Sequence, residues 1–417
     1  MKRSTWHLRT GAIVATWLVA LLAVSILGLL RPVPGWLVVH LLLLGAVSNA
    51  ILIWSTHFAA ALLRLPDPGS RRGEAVRLGT FNAGAVMVVL GMVTHFWAAV
   101  PVGGALVAGA GGWHAVVLLG RMRRALPSRF AVTVRYYVAA GALLPIGVTF
   151  GVIMAPDHLS DSVHARLALA HVAVNLLGWM GLTVVGTVVT LWPTMLHTRV
   201  ADGAERAARR ALPMLVLSLA VVVIGALAAS REVAVAGIVG YLAGLTVAGR
   251  PLVQETRSRR PTTYPTWSVL AGLVWLAGSL TALAVIVAAS ASWERAADTA
   301  DRLAAPLLVG FAGQVLLGAL SFLVPVVLGG GPSVTRATAA VLETAGTARV
   351  TIINVGLLAN TLPLPPAGRA VSAAAVLAAM ALFLPLVLRA VRLERSLTRG
   401  QVGLLPTDRH PLHPPSR

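Results

Sequence analysis

The residues with the clearest chemical potential are histidines that stand inside long apolar runs. The chain has eleven histidines and no cysteine, and four of the histidines have almost only apolar neighbours: His40, His95, His114 and His171. Ionisable groups in a membrane interior are costly, so they more often mark a functional site than simple packing. Neutral imidazole ligates metals and heme iron. Without cysteine, thiolate metal sites and covalently attached c-type heme are excluded.

The elements that position these histidines are predicted to be membrane-spanning helices. The chain is 57% hydrophobic and only 12% charged, whereas a soluble domain carries about 25% charged residues. A helix needs about 20 apolar residues to cross a bilayer, and backbone groups in lipid must be satisfied within the helix. We therefore expect an all-α integral membrane bundle of about twelve transmembrane helices over residues 1–388. Residues 389–417 are charged and then Pro-rich, which predicts a disordered cytoplasmic tail. The predicted spans are 10–30, 36–63, 79–100, 102–120, 136–154, 165–195, 212–229, 233–249, 266–290, 305–328, 338–361 and 370–388.

The net charge of +20 reflects topology and does not indicate nucleic-acid binding. With these spans, 27 of the 34 Lys and Arg residues lie at the two termini or in the loops after even-numbered helices, and six lie on the other side. Cytoplasmic loops are enriched in Lys and Arg. The pattern predicts a multi-pass protein of the plasma membrane with both termini in the cytoplasm and the lipid bilayer as its surroundings.

Three of the histidines are predicted to share one layer in the outer leaflet. At 1.5 Å per residue, His40 on helix 2, His95 on helix 3 and His171 on helix 6 lie about 6, 8 and 9 Å below the outer boundary. Asn175 and Gly178 follow His171 at i+4 and i+7, on the same helical face. A glycine there would let a flat macrocycle approach the backbone. The residues alone leave three interpretations open: a heme or metal site, a proton relay or substrate path, and structural hydrogen bonding.

Helices 2, 6 and 10 indicate an internal repeat. All three run inward, and each carries a polar residue in its outer half that is followed by Leu and Gly, in the segments HLLLLG, HVAVNLLG and QVLLG. A four-helix unit that occurs three times would produce this pattern.

The helix count, the three four-helix units and the polar residues of helices 2, 6 and 10 resemble subunit I of the heme–copper oxidase superfamily. The segment AHVAVNLLGWMGLTVVGTVVTLWP is similar to the His-x-x-x-Asn-Leu-Leu-Gly helix of the nitric-oxide-reductase-like and C-type branches, and to NnrS-type heme and copper membrane proteins. Helix 7 has no histidine and helix 10 offers only Gln314, so the complete heme–copper centre is not present.

The resemblance implies a role for each candidate residue. His40 corresponds in rough depth to a low-spin heme ligand, and His171 is the preferred second ligand. His95 is a reserve ligand, or a partner for a propionate or for copper. Arg349 on helix 11 is expected to pair with a propionate, a carbonyl or another helix. Glu343 stands six residues earlier, and an alternative is that helix 11 starts later and leaves Glu343 at the inner interface.

The resulting hypothesis is a membrane b-type cytochrome-like protein, a component of an oxidoreductase system, that binds heme b or copper near the outer face. It would pass electrons between quinol and an exported multicopper oxidase or copper nitrite reductase, since related actinobacterial membrane proteins occur beside or joined to such domains. The alternatives are a secondary transporter or permease with a histidine-lined path, and a copper-handling membrane protein.

The topology has a direct test. Because the basic loops are expected inside, reporter fusions after Arg124 and Arg260 should report the cytoplasm, and fusions near Asp161 and Asp298 should report the exterior. A reversed result at any two of these positions would contradict the topology.

Overall fold

The computed structural model describes residues 3–65, 71–156 and 158–403, and all regular secondary structure in this part of the chain is helical. It contains twelve helices that are long and apolar enough to cross a membrane, which confirms the predicted fold class. They are α1 Thr5–Leu30, α2 Gly35–Leu62, α3 Arg72–Val93, α4 Ala99–Arg124, α5 Ala131–Met154, α6 Asp161–Met195, α7 Ala204–Leu227, α8 Arg231–Ser258, α9 Tyr264–Ala289, α10 Pro306–Leu328, α11 Gly331–Asn360 and α12 Pro366–Arg399.

Several helix boundaries differ from those expected. The loop between α9 and α10 contains a short helix, Trp293–Ala300, that Ser292 caps by accepting a hydrogen bond from the Arg295 amide. The helix α11 is interrupted between Leu342 and Gly346. The last helix continues to Gly403, well beyond residue 388, so only residues 404–417 of the expected tail lie outside the described residues.

Burial divides the twelve helices into an inner set of three and an outer set of nine. In the apolar windows of α2, α6 and α10, 61%, 78% and 67% of the residues are buried inside the protein, whereas the outer helices range from 11% to 44%. A helix that is apolar all round belongs in the interior of a bundle, and one that faces lipid leaves most of its apolar surface exposed. The three helices predicted to be equivalent are therefore the core of the molecule.

The same packing relations recur around each inner helix. Each inner helix packs on the helix that precedes it: α2 on α1, α6 on α5 and α10 on α9. The two helices that follow each inner helix also contact it, and the outer ring closes where α12 meets α1. Three four-helix units, residues 5–124, 131–258 and 264–399, thus make up the bundle.

A wide-turned π-helical segment lies in each inner helix, at Leu41–Val47, Ala173–Gly181 and Pro306–Gly313. In the described part of the chain no other helix contains one. Such segments are rare and are frequent at functional sites.

A polar network joins the first three helices of the first unit. The indole N–H of Trp17 donates to the amide oxygen of Asn82 at 2.7 Å, and the Asn82 amide donates to Asn49 at 2.8 Å. Asn49 is fully buried and donates in turn to the carbonyl of Gly45. Gly45 lets the indole approach, since a Cβ there would lie 2.5 Å from the ring.

The third unit repeats this network with nearly the same residue types. Trp275 donates to Asn354 at 2.7 Å, the Asn354 amide donates to Gln314 at 3.0 Å, and Gln314 donates to the carbonyl of Gly310. Gly310 contacts the Trp275 ring as Gly45 contacts Trp17. Gln314 therefore occupies the position in the third unit that Asn49 occupies in the first. The sequence pattern had aligned Gln314 with His40 instead.

The middle unit fills the same position with leucines. Gly178 contacts Leu143 on α5 and Leu219 on α7, and Leu182 stands four residues after this glycine. A buried network can be replaced by apolar side chains at little cost when all its members change together. The middle unit shows that the fold accepts the apolar version.

This comparison predicts a non-additive effect on stability. The change Asn354→Leu should lower the free energy of unfolding by about 1–3 kcal/mol, because it leaves the Trp275 N–H and the side-chain oxygen of Gln314 without partners. The triple change of Trp275, Gln314 and Asn354 to Leu should cost less than the sum of the three single changes. Equilibrium unfolding in mixed micelles measures both, and Thr351→Leu on the exposed face of α11 is the control. Additive losses would contradict the network.

Candidate functional site

The structure brings two of the three predicted histidines together. The rings of His40 and His171 have centroids 6.2 Å apart and planes inclined by only 28°. His40 ends the first turns of α2, and His171 lies ten residues into α6, so the pair stands at the ends of these helices away from the arginine-rich loops. Both side chains are half-buried. Since α2 and α6 belong to different units, the pair lies at a junction between units.

Hydrogen bonds determine which ring nitrogen of each histidine is available. Nδ1 of His40 lies 2.7 Å from the carbonyl oxygen of Trp36, and Nδ1 of His171 lies 2.9 Å from that of Gly147. A carbonyl oxygen can only accept, so each Nδ1 carries the proton and each neutral ring has its lone pair on Nε2. Within the described part of the chain neither Nε2 has a hydrogen-bond partner. A histidine ligand is commonly oriented in this way, with its other nitrogen donating to a carbonyl.

The separation of the rings suits a shared metal atom. Two imidazoles that bind one metal atom from opposite sides, through nitrogens about 2 Å from it, hold their ring centres about 6 Å apart. The observed 6.2 Å is close to this value. The centroid separation is therefore compatible with two nitrogen ligands to one metal atom.

The glycines Gly147 and Gly151 of α5 make room for the pair. A Cβ on Gly151 would lie 2.6 Å from Cε1 of His171, and one on Gly147 would lie 2.5 Å from the Asn175 amide. Neither glycine was predicted from the sequence. Their spacing in the segment GVTFG is the small-xxx-small pattern of close helix contacts in membranes, and that pattern could have identified them.

Of the two residues predicted beside His171, Asn175 lies at the site and Gly178 does not. The Asn175 amide donates to the His171 carbonyl at 2.9 Å and lies 3.3 Å from Nδ1 of the ring. Gly178 instead contacts Leu143 and Leu219 on the neighbouring helices. The π-helical segment Ala173–Gly181 explains the difference, because its wider turn rotates position i+7 away from the face that a regular α-helix would give it.

The prediction that His95 belongs to this layer is wrong. The helix α3 ends at Val93, and His95 is exposed in the following turn, with φ of 55° and its ring 5.4 Å from that of Trp97. The hydropathy of the sequence did not reveal this turn, because apolar residues flank the histidine and the tryptophan at the membrane boundary. Among the described residues, no group of three or more His, Asp or Glu side chains could hold a metal ion.

Arg349 also lies away from the histidine pair, near the arginine-rich end of the bundle. Its guanidinium donates to the carbonyls of Leu342 and Ala379 and stands 3.7 Å above the ring of Tyr264. The Glu343 carboxylate, in the break of α11, accepts from the Tyr264 amide. The carbonyl partners expected for Arg349 are therefore present, and a propionate at the histidine pair is out of its reach.

His114 has a separate and fully buried environment. Its Nε2 lies 2.8 Å from the hydroxyl of Ser55, and its ring packs edge-on against Trp179, whose indole N–H donates to Ser48. These contacts tie α4 and α6 to α2. His114 is not part of the histidine pair.

Neither a scan against protein-family models nor a search of curated proteins finds a match to this chain.

The role of Gly151 gives a test of the site geometry. Gly151→Ala should force His171 from its position and lower the free energy of unfolding by about 1–3 kcal/mol, because a methyl group has no space at 2.6 Å. Gly109→Ala on α4 is the matched control, since nothing lies within 4 Å of its added Cβ, and it should be neutral or stabilising. Unfolding in mixed micelles measures both. Equal behaviour of the two variants would show that His171 is not held against α5.

Proposed function

We propose that this chain is a membrane b-type cytochrome in which His40 and His171 would hold the iron of one heme. The observation that carries the proposal is the pair of near-parallel imidazoles 6.2 Å apart. In addition, both Nε2 lone pairs are left available by Nδ1 hydrogen bonds to backbone carbonyls.

The number of ligands favours heme over a bare metal ion. Protein sites for zinc use three or four protein ligands, and Cu(I) prefers thiolate or thioether groups. Here two imidazoles stand alone among the described residues, with no third His, Asp or Glu to complete a metal site. A porphyrin supplies four nitrogens of its own, so two histidines are sufficient. Copper in this position remains the weaker alternative.

Residues of this chain would hold the heme and adjust the strength of its ligand bonds. Trp36 and Gly147 fix the tautomer and orientation of the two rings through their carbonyls, and Asn175 supports His171. Carbonyl acceptors at Nδ1 increase the basicity of Nε2 and so strengthen its bond to iron. Bound heme would supply one-electron redox chemistry, and the protein would supply ligation, burial and orientation.

The position of the pair indicates where electrons would pass. It lies at the end of the bundle opposite the arginine-rich loops, which is the outer side if those loops are cytoplasmic. This placement suits transfer from quinol in the membrane to an exported multicopper oxidase or copper nitrite reductase, the partners that the resemblance to oxidase subunit I implies.

The decisive measurement is the reduced-minus-oxidised visible spectrum of the purified protein. The wild-type protein should show a b-type spectrum, and His171→Ala and His40→Ala should each abolish it or convert it to a high-spin form, because one axial ligand is lost. His95→Ala is the matched control: it removes an exposed histidine of the same end of the bundle and should leave the spectrum unchanged.

Two results would overturn the proposal. An unchanged spectrum in both His40→Ala and His171→Ala would exclude these residues as ligands. A wild-type protein without any heme signal after expression with added heme precursor would instead favour the transporter hypothesis, in which the pair lines a proton or substrate path.

A further inference from the structure

A second site lies at the arginine-rich end of the first unit, far from the histidine pair. Here a cavity of about 180 Å³ is bounded by all of the first four helices, and its polar wall includes Thr56, Arg71, Glu74 and Arg121. It has no part in the proposed heme site.

A buried arginine is hydrogen-bonded to Thr56, which lines this cavity. Arg77 is only 3% exposed, and its guanidinium donates to the hydroxyl of Thr56 at 3.3 Å, while Arg121 donates to the Thr56 carbonyl at 3.5 Å. The Nε–H of Arg77 is buried and has no hydrogen-bond partner in the described part of the chain. Two guanidiniums therefore converge on one wall, and one of them retains an unused donor. A cation buried in this way is costly unless an anion or a set of acceptors accompanies it.

Among the described residues, the charges around the cavity are mostly positive. Arg71 and Arg121 line it, Arg77 is bonded to Thr56 of its wall, and Glu74 is the carboxylate that the described residues contribute to the lining. The corresponding arginine of the third unit is Arg349, which precedes Asn354 by five residues as Arg77 precedes Asn82. Two carbonyls and the Tyr264 ring contact its guanidinium, whereas the Arg77 guanidinium lies 6.0 Å from the Trp113 ring and is bonded to Thr56 of the cavity wall. Each of the two arginines retains one buried nitrogen without a hydrogen-bond partner among the described residues.

An apolar groove begins beside the cavity, with Trp6 lining both. The groove has a volume of about 600 Å³, lies between α1 and α3, and follows α1 from Trp6 to Ala20, about 20 Å along the helix axis. Ile13, Leu78 and Val86 are among its apolar residues. Half of a bilayer's hydrocarbon core is about 15 Å thick, so the groove is long enough for an acyl chain.

From this juxtaposition we infer that the first unit binds an anionic phospholipid of the leaflet on the arginine-rich side. The phosphate would occupy the cavity beside Arg121 and in reach of the guanidinium of Arg77, and one acyl chain would lie in the groove between α1 and α3. Arginine is suited to phosphate because its planar donors can form two parallel hydrogen bonds. The positive charges of the cavity wall favour an anionic headgroup over a zwitterionic one. The groove favours a lipid over a free anion, because only a lipid has an acyl chain to fill it.

Two variants, Arg121→Gln and Gly79→Phe, separate the headgroup site from the groove. Arg121→Gln removes a charge from the cavity wall, and its control, Arg123→Gln, removes an equal charge from an exposed position two residues away. Gly79→Phe fills the groove from α3, where an added Cβ meets no atom within 4 Å. These changes spare Arg77, whose loss could prevent folding.

The full-length protein in nanodiscs of phosphatidylcholine with phosphatidylglycerol, released for native mass spectrometry, reports the retained lipid. Arg121→Gln and Gly79→Phe should each reduce retained phosphatidylglycerol by about fivefold, and Arg123→Gln should leave it unchanged. Retained phosphatidylcholine should be the same in wild type and in all arginine variants. Thermal unfolding should show wild type stabilised by phosphatidylglycerol and not by inorganic phosphate alone.

Three outcomes would overturn the inference. Equal losses in Arg121→Gln and Arg123→Gln would indicate a general surface-charge effect. Stabilisation by inorganic phosphate, with no effect of Gly79→Phe, would indicate a free anion. Equal retention of both lipids by wild type would show that the cavity does not select charge. None of these outcomes bears on the heme spectrum, so this inference and the proposed function fail separately.

Discussion

The structure depends on one constraint: inside a bilayer every polar group must find its partner within the protein. Lipid offers no hydrogen bonds, so an unpaired amide or indole costs free energy that water would otherwise cancel. The bundle meets this constraint by placing its polar side chains between helices. In the first and third units a Trp on the outer helix, an amide on the inner helix and an Asn on the next helix satisfy one another. These bonds hold the inner helices in the middle of the molecule.

The same constraint explains what is distinctive about the candidate site. Each of the two histidines uses one ring nitrogen on a backbone carbonyl and leaves the other unsatisfied within the described residues. An imidazole lone pair that finds no protein donor in a membrane is a cost unless a ligand compensates for it. The glycines of α5 are part of this arrangement, since they let His171 and Asn175 approach the α5 backbone. The site is thus assembled from two units and cannot form within either one alone.

The three units differ in how they hold their inner helices. The middle unit has leucines around Gly178 where the other two have the polar network, and its inner helix is held by other hydrogen bonds, such as that from the Tyr241 hydroxyl to the Leu177 carbonyl. In the first unit the buried arginine lies beside a cavity, and in the third the corresponding arginine lies between two carbonyls and a tyrosine ring. The scaffold thus carries a candidate site at each end of the bundle.

The sequence by itself determined the class, the number of spans and the equivalence of α2, α6 and α10, because hydropathy and helix direction are local properties of the chain. It also selected His40 and His171. Only the tertiary structure decided that these two meet while His95 does not, since the turn after Val93 and the π segment after His171 alter helix register without altering hydropathy. Likewise, only the tertiary structure shows that Gly178 and Arg349 lie away from the histidine pair. Which side chains share a site depends on how helices rotate and pack against one another, and that rotation is set by contacts between residues far apart in the chain.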